Sequence, residues 1–146
     1  MIFKKKKKLG AIDTLIDKDI VIRGSTSYSG GLRLDGKIYG DLTVVEESGG
    51  TLIMGENSRI KGSVMVETAI IAGEIIGDVK CYDYLELQPG SIIKGNIEYN
   101  SLEIHAGAIV NGLLKQITKV QMKKEQKKLP FKKDKKVEVI GDKDDN

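Results

Sequence analysis

Residues 85–95 read LELQPGSIIKG, and residues 102–112 read LEIHAGAIVNG. Leu85 aligns with Leu102, Glu86 with Glu103, Leu87 with Ile104, Gly90 with Gly107, Ile92 with Ile109, Ile93 with Val110 and Gly95 with Gly112. A third copy, TLIMGENSRIKG at 51–62, carries Asn57 where the others carry Gly90 and Gly107. Shorter versions are LRLDGKIYG at 32–40 and AIIAGEIIG at 69–77. The copies start at 32, 52, 69, 85 and 102, in steps of 20, 17, 16 and 17, and the insertion EESGG at 46–50 accounts for the long step. A weaker first copy lies in IVIRGSTSYSGG at 20–31. A chain repeats itself in this way when no copy can bury its own apolar residues and each must lie on the copy before it. The repeat therefore restricts the fold to a stack of like turns.

Within each copy apolar residues alternate at period two, the signature of a strand. Short strands broken by glycine near every seventeenth residue predict a solenoid with three strands per turn. About six windings at roughly 4.8 Å each give a rod of ~29 Å. Gly36, Gly40, Gly62, Gly73, Gly77, Gly90, Gly95, Gly107 and Gly112, with Asn57, read as its structural turns. Glycine and asparagine share one such position because both tolerate a left-handed backbone. A left-handed hexapeptide β-helix, a fold with many acyltransferases, repeats strictly at six. The uneven inner spacings here favour a right-handed parallel β-helix.

The series in LRLDGKIYGDL and IIAGEIIGDV, with LEIHAGAIVNG near its end, resembles the bactofilins over roughly residues 20–114. The resemblance implies a right-handed β-helix of about six windings flanked by disordered tails. It also implies end-to-end, non-polar filaments formed without nucleotide, and peripheral membrane attachment through the N-terminus. The family often carries a Phe in the last repeat, in a stretch involved in subunit contact, and Val110 stands in its place here.

The chain has 146 residues, 17 of them Gly and only two Pro, a strand-and-turn composition. Its charge is divided: residues 1–9 carry five Lys and no acid, residues 10–114 carry eight Lys or Arg against fifteen acids, and residues 115–146 carry eleven Lys against six acids. An acidic body repels phosphate, so a nucleic-acid partner is not expected. Cys81 is the sole cysteine, which leaves no intrachain disulfide and fits a reducing, cytoplasmic setting. No run of 18 apolar residues is present to span a bilayer.

No catalytic, cofactor or metal constellation stands out. His105, the single histidine, falls on a polar repeat position aligned with Gln88 and reads as a solvated surface residue. No carboxylate at a suitable spacing supports it as a general base. Cys81 falls on an apolar position and reads as a buried structural thiol. The glycines are followed by strand rather than by helix, so none forms a phosphate loop. Glu46 and Glu47 read as solubilising residues of the inserted loop.

Three regions follow: a basic tail at 1–15, the β-helix at 16–114 and a basic, mostly disordered tail at 115–146. Met1, Ile2 and Phe3 precede Lys4, Lys5, Lys6, Lys7 and Lys8, an apolar tip on a polybasic run that suits an anionic membrane surface. One copy binds weakly; a filament bearing many copies binds firmly. Leu113, Leu114, Ile117 and Val120 suit one or two helical turns capping the last winding. The first winding (Ile20, Ile22, Tyr28) and the last (Leu102, Ile104, Ile109, Val110, Leu113, Leu114) are the expected polymer interface, where unpaired layers meet. Ile53, Ile70, Ile76, Ile92 and Ile109 point outward and suggest a lateral stripe. The function expected is a non-enzymatic, cytoplasmic, membrane-associated filament scaffold that, by the resemblance, positions cell-wall or morphogenesis proteins. The alternatives are a non-polymerising β-helix adaptor and a β-helix acyltransferase.

Overall fold

The computed structural model describes residues 12–45 and 49–118. The basic N-terminal run, the Glu46–Glu47 loop and the C-terminal tail beyond residue 118 lie outside the described residues. The chain divides at Gln116, and the solenoid lies within the first unit.

Three strands make each winding. The first holds β1 (Thr14–Ile16), β2 (Val21–Arg23) and β3 (Thr26–Tyr28). The second holds β4 (Gly31–Leu34), β5 (Lys37–Tyr39) and β6 (Leu42–Val44). The third comprises β7 (Thr51–Met54), β8 (Arg59–Lys61) and the first half of β9 (Val64–Ile71). β9 runs on into the fourth winding, which continues through β10 (Glu74–Ile76) into β11 (Val79–Leu87). β11 opens the fifth, followed by β12 (Ile92–Lys94) and β13 (Ile97–Ile104). The end of β13, β14 (Ile109–Asn111) and β15 (Leu114–Gln116) close the sixth. All pairings are parallel, so the result is a β-solenoid of six windings with three faces. The described residues contain no helix.

The repeat seen in the sequence becomes the register of the stack. Leu85 pairs with Leu102, Leu87 with Ile104, Ile92 with Ile109 and Ile93 with Val110. Like residues therefore stack in columns. The first face turns Leu32, Leu52, Ala69 and Leu85 inward, and beside them Leu34, Met54, Ile71 and Leu87. The second face contributes one inward column, Ile22, Ile38, Ile60, Ile75, Ile93 and Val110. The third contributes Leu42, Val64, Val79 and Ile97, with Val44, Val66 and Cys81 alongside. These central members are essentially inaccessible to solvent. Burial of roughly 1.5–3 kcal/mol per large apolar side chain drives the stacking.

The single 16-residue step combines a turn at Ala72–Gly73, two residues shorter than those of the windings on either side, with a bulge that adds one residue back. Between Cys81 and Tyr84 the register shifts by one residue against both neighbouring windings, so Tyr82 and Asp83 together oppose one residue on each side. Cys81, just before it, is fully buried. Its thiol lies 3.1 Å from the Tyr84 carbonyl and 3.3 Å from that of Glu67, and burial pushes its pKa up to about 12. Only the thiolate attacks electrophiles, so a thiol reagent at pH 8 is expected to leave native protein unmodified and to label Cys81 once it is unfolded. Fast labelling of the native protein would contradict this packing.

Two kinds of turn glycine are present. Gly90 and Gly107 have φ of 90° and 98°, with nothing closer than 3.6 Å to a Cβ placed there. The glycines at the corner between the second and third faces are held differently. At Gly40, Gly62, Gly77, Gly95 and Gly112 a Cβ would collide with the carbonyl group of the glycine one winding earlier. The backbone supplies the closeness: Gly62 N–H donates to Ile76 O at 3.0 Å and Gly77 N–H to Lys94 O at 2.9 Å. Gly36 and Gly73 are likewise fixed by close approach, to Ile20 O and to Ser58 and Gly55 O, rather than by a left-handed backbone.

Candidate assembly ends and outer faces

The columns stop abruptly at both ends. Leu87 and Ile71 are 0% exposed, whereas Ile104, next in the same column, is 43% exposed. Leu114 follows Ile97 in register and is 45% exposed against 0%. Leu102 and Val110 complete that last inward layer, half-buried. At the other end Ile22 and Tyr28 occupy inward positions and are half-buried. Burial raises the Tyr28 phenol pKa, and its hydroxyl has no hydrogen-bond partner among the described residues.

Three residues expected in the end layers sit elsewhere. Ile20 lies in the turn before β2, 42% exposed. Leu113 lies at the corner after Gly112, 73% exposed, and its N–H donates to Asn96 Oδ1 at 3.0 Å. Ile109 stacks on Ile92 on the outside of the second face. The sequence alternation fixed strand parity but not where each corner fell, and these residues border corners. The proposed isoleucine stripe also divides: Ile53 and Ile70 are neighbours on the first face, while Ile76, Ile92 and Ile109 belong to the second.

His105 has the carboxylate partner that sequence spacing did not reveal. Its Nε2 lies 2.9 Å from Glu86 Oε2 and 3.5 Å from Glu103 Oε2. Glu86 sits one winding away, and its mostly buried carboxylate also accepts from Gln88 Nε2 at 2.6 Å. The Tyr84 hydroxyl is 2.9 Å from Glu86 and 2.8 Å from Glu103. Desolvation and these two hydrogen bonds push the Tyr84 pKa up. Glu86, Glu103 and His105 offer ligand atoms within 4.8 Å of one another, but the donors of Tyr84 and Gln88 already engage the carboxylates. The group is a polar clasp that fastens the sixth winding to the fifth. The Glu86–Glu103 part was visible in the repeat; the diagonal reach of His105 was not.

Charge is distributed unevenly around the rod. The outward side of the second face carries Arg23, Lys37, Arg59, Lys61 and Lys94 against one acid, Glu74. The other described residues hold twelve acids and four bases. The body is thus acidic in sum and basic on one side, which corrects the expectation of a uniformly phosphate-repelling surface.

Residues 14–115 match the family model described as "Bactofilin: Polymer-forming cytoskeletal". The chain belongs to the bactofilin family. The match begins with β1 and ends within β15, so it covers the whole solenoid. The chain is also similar to bactofilin BacP of Myxococcus xanthus, 27% identical over 100 residues, which is 68% of this chain and 40% of that protein. It therefore corresponds to less than half of that bactofilin's length. No solved structure matches. The family is polymer-forming and cytoskeletal, and no helix among the described residues is long and apolar enough to cross a membrane.

Proposed function

We propose that this bactofilin is a nucleotide-independent filament scaffold whose subunits join end to end through the terminal windings. The observation that carries the reading is the open last layer, where Ile104 and Leu114 stand nearly half exposed in columns otherwise sealed. Apposing two such layers recovers burial that a lone solenoid forfeits. The Met1–Lys8 segment attaches the filament to the anionic inner face of the cell membrane, with basic tails at 1–15 and 115–146 flanking the solenoid. On that surface the polymer positions proteins of cell-wall growth or morphogenesis.

Electron microscopy of the purified protein without nucleotide tests the polymer. Filaments are expected, and monodisperse short rods would favour an adaptor that does not polymerise. Deletion of Met1–Lys8 is expected to leave filaments intact while lowering their co-sedimentation with anionic vesicles. Undiminished co-sedimentation of the truncated protein would refute the attachment reading.

A further inference from the structure

We propose that the second face of the solenoid is itself a docking surface for an anionic lipid bilayer, so that the rod lies on its side with its axis along the membrane. The inference rests on the membrane reading above but assigns a different surface. The outward residues of β2, β5, β8, β10, β12 and β14 are of two chemical kinds, with Glu74 and Asn111 the exceptions. The first kind is cationic: Arg23, Lys37, Arg59, Lys61 and Lys94. Their single acidic companion, Glu74, is neutralised by Arg59 at 3.0 Å and Lys94 at 3.5 Å. No carboxylate among the described residues pairs with Arg23, Lys37 or Lys61. The second kind is apolar: Val21 and Ile109 at 48% and 49% exposure, with Tyr39, Ile76 and Ile92 half-buried. Cations interleaved with aliphatic and aromatic side chains suit a headgroup region, where phosphates meet the former and the acyl boundary the latter.

Four of the carboxylates bordering this face are engaged at their own corners, while Asp19, beside Lys18 at 3.5 Å, and Glu56 stay exposed. Asp35 is held by Arg33 at 3.0 Å. Asp17 accepts from the Lys18 N–H, Asp41 from the Ser63 N–H and Asp78 from the Asn96 N–H. The geometry also argues against a second copy as the occupant. The outward side of the first face holds Arg33, Glu86 and Glu103, and that of the third holds Lys80, Glu98 and Lys115. Neither is an acidic plane complementary to the second face. A broad, flat, negatively charged partner is a bilayer. In a filament the face recurs with every subunit, so weak contacts add.

The test uses the full chain with vesicles of phosphatidylglycerol and phosphatidylcholine at moderate salt. Lys37→Glu/Lys61→Glu reverses two charges on the second face; Lys80→Glu/Lys115→Glu makes the same net change on the third. Sedimentation and thermal melting without vesicles verify the assembly and folding of each. The second-face variant is expected to lose about tenfold or more in vesicle affinity, from roughly 1 kcal/mol per basic residue at an anionic surface. The third-face variant is expected to stay within about twofold of the parent. The milder Lys37→Gln/Lys61→Gln pair should fall between them, which keeps the test decisive if charge reversal disturbs assembly. Lys4–Lys8→Gln separates the two readings. If the tail change abolishes binding and the face change leaves it unaltered, the face proposal is overturned and the tail reading stands. If the face change weakens binding and the tail change does not, the face proposal stands without the tail. Parent protein that fails to bind overturns both. A face variant that binds vesicles normally but loses lateral bundles would mean that the face joins copies of the chain, and would overturn the proposal.

Discussion

Ile104→Arg is expected to stop assembly at the dimer while leaving the subunit folded. Ile104 is 43% exposed in the single subunit, so an arginine there can carry its charge to water along a flexible stem. At an end-to-end joint the same charge would be enclosed without a partner, at a penalty of several kcal/mol. The contrast with Leu87, one winding inward and 0% exposed, is the control: Leu87→Arg is expected to abolish folding itself. A chain with one blocked end and one free end makes dimers if like ends meet, as the family resemblance implies. It makes only monomers if unlike ends meet, because every joint then needs both surfaces. Light scattering of Ile104→Arg distinguishes the two, and filaments of ordinary length would show that the last winding is not the joint.

Gly77→Ala is expected to be among the most damaging single methyls in the solenoid, lowering stability by about 3–5 kcal/mol through strain and overpacking together. Its new Cβ would collide with the Gly62 carbonyl oxygen and lie 2.6 Å from the Gly62 carbon, and φ at this position is 150°. Neither obstacle is a flexible side chain that can step aside. Gly107→Ala meets strain alone, since Pro89 lies 3.6 Å away and φ is 98°, and is expected to lose about 1–2 kcal/mol. Urea titrations of the two variants check the difference. Equal midpoints would refute the close stacking at the glycine corner.

The columns of the core were legible because a solenoid turns sequence similarity directly into contact. Leu85 and Leu102 align as text and touch as side chains. The corners were less legible. Period-two alternation continues in the mind's eye through a turn, but a corner rotates the next residue by an amount that depends on backbone torsions. Ile20 and Leu113, expected in the terminal layers, therefore lie on turns. The clasp of His105 escaped because it joins a residue beyond its strand's end to a carboxylate one winding away, a diagonal that no pairwise alignment of copies contains. The basic face was hidden by interleaving. Lys37, the Arg59–Lys61 pair and Lys94 are spread along the chain with acids between them, and only the register gathers them on one side.

The direction of the backbone hydrogen bonds has a mechanical consequence. In this solenoid the bonds between windings run along the rod, as in the Gly40 N–H to Lys61 O and Gly95 N–H to Asn111 O contacts. Tension on a filament would pull straight along them. Within a subunit each winding is gripped by its neighbour on three faces at once, so all three ladders must part together before it opens. In the end-to-end filament proposed above, only the two end layers would hold between subunits. Such a filament, when stretched, would part at its joints and shed intact subunits able to join again, tough in its pieces and renewable at its seams.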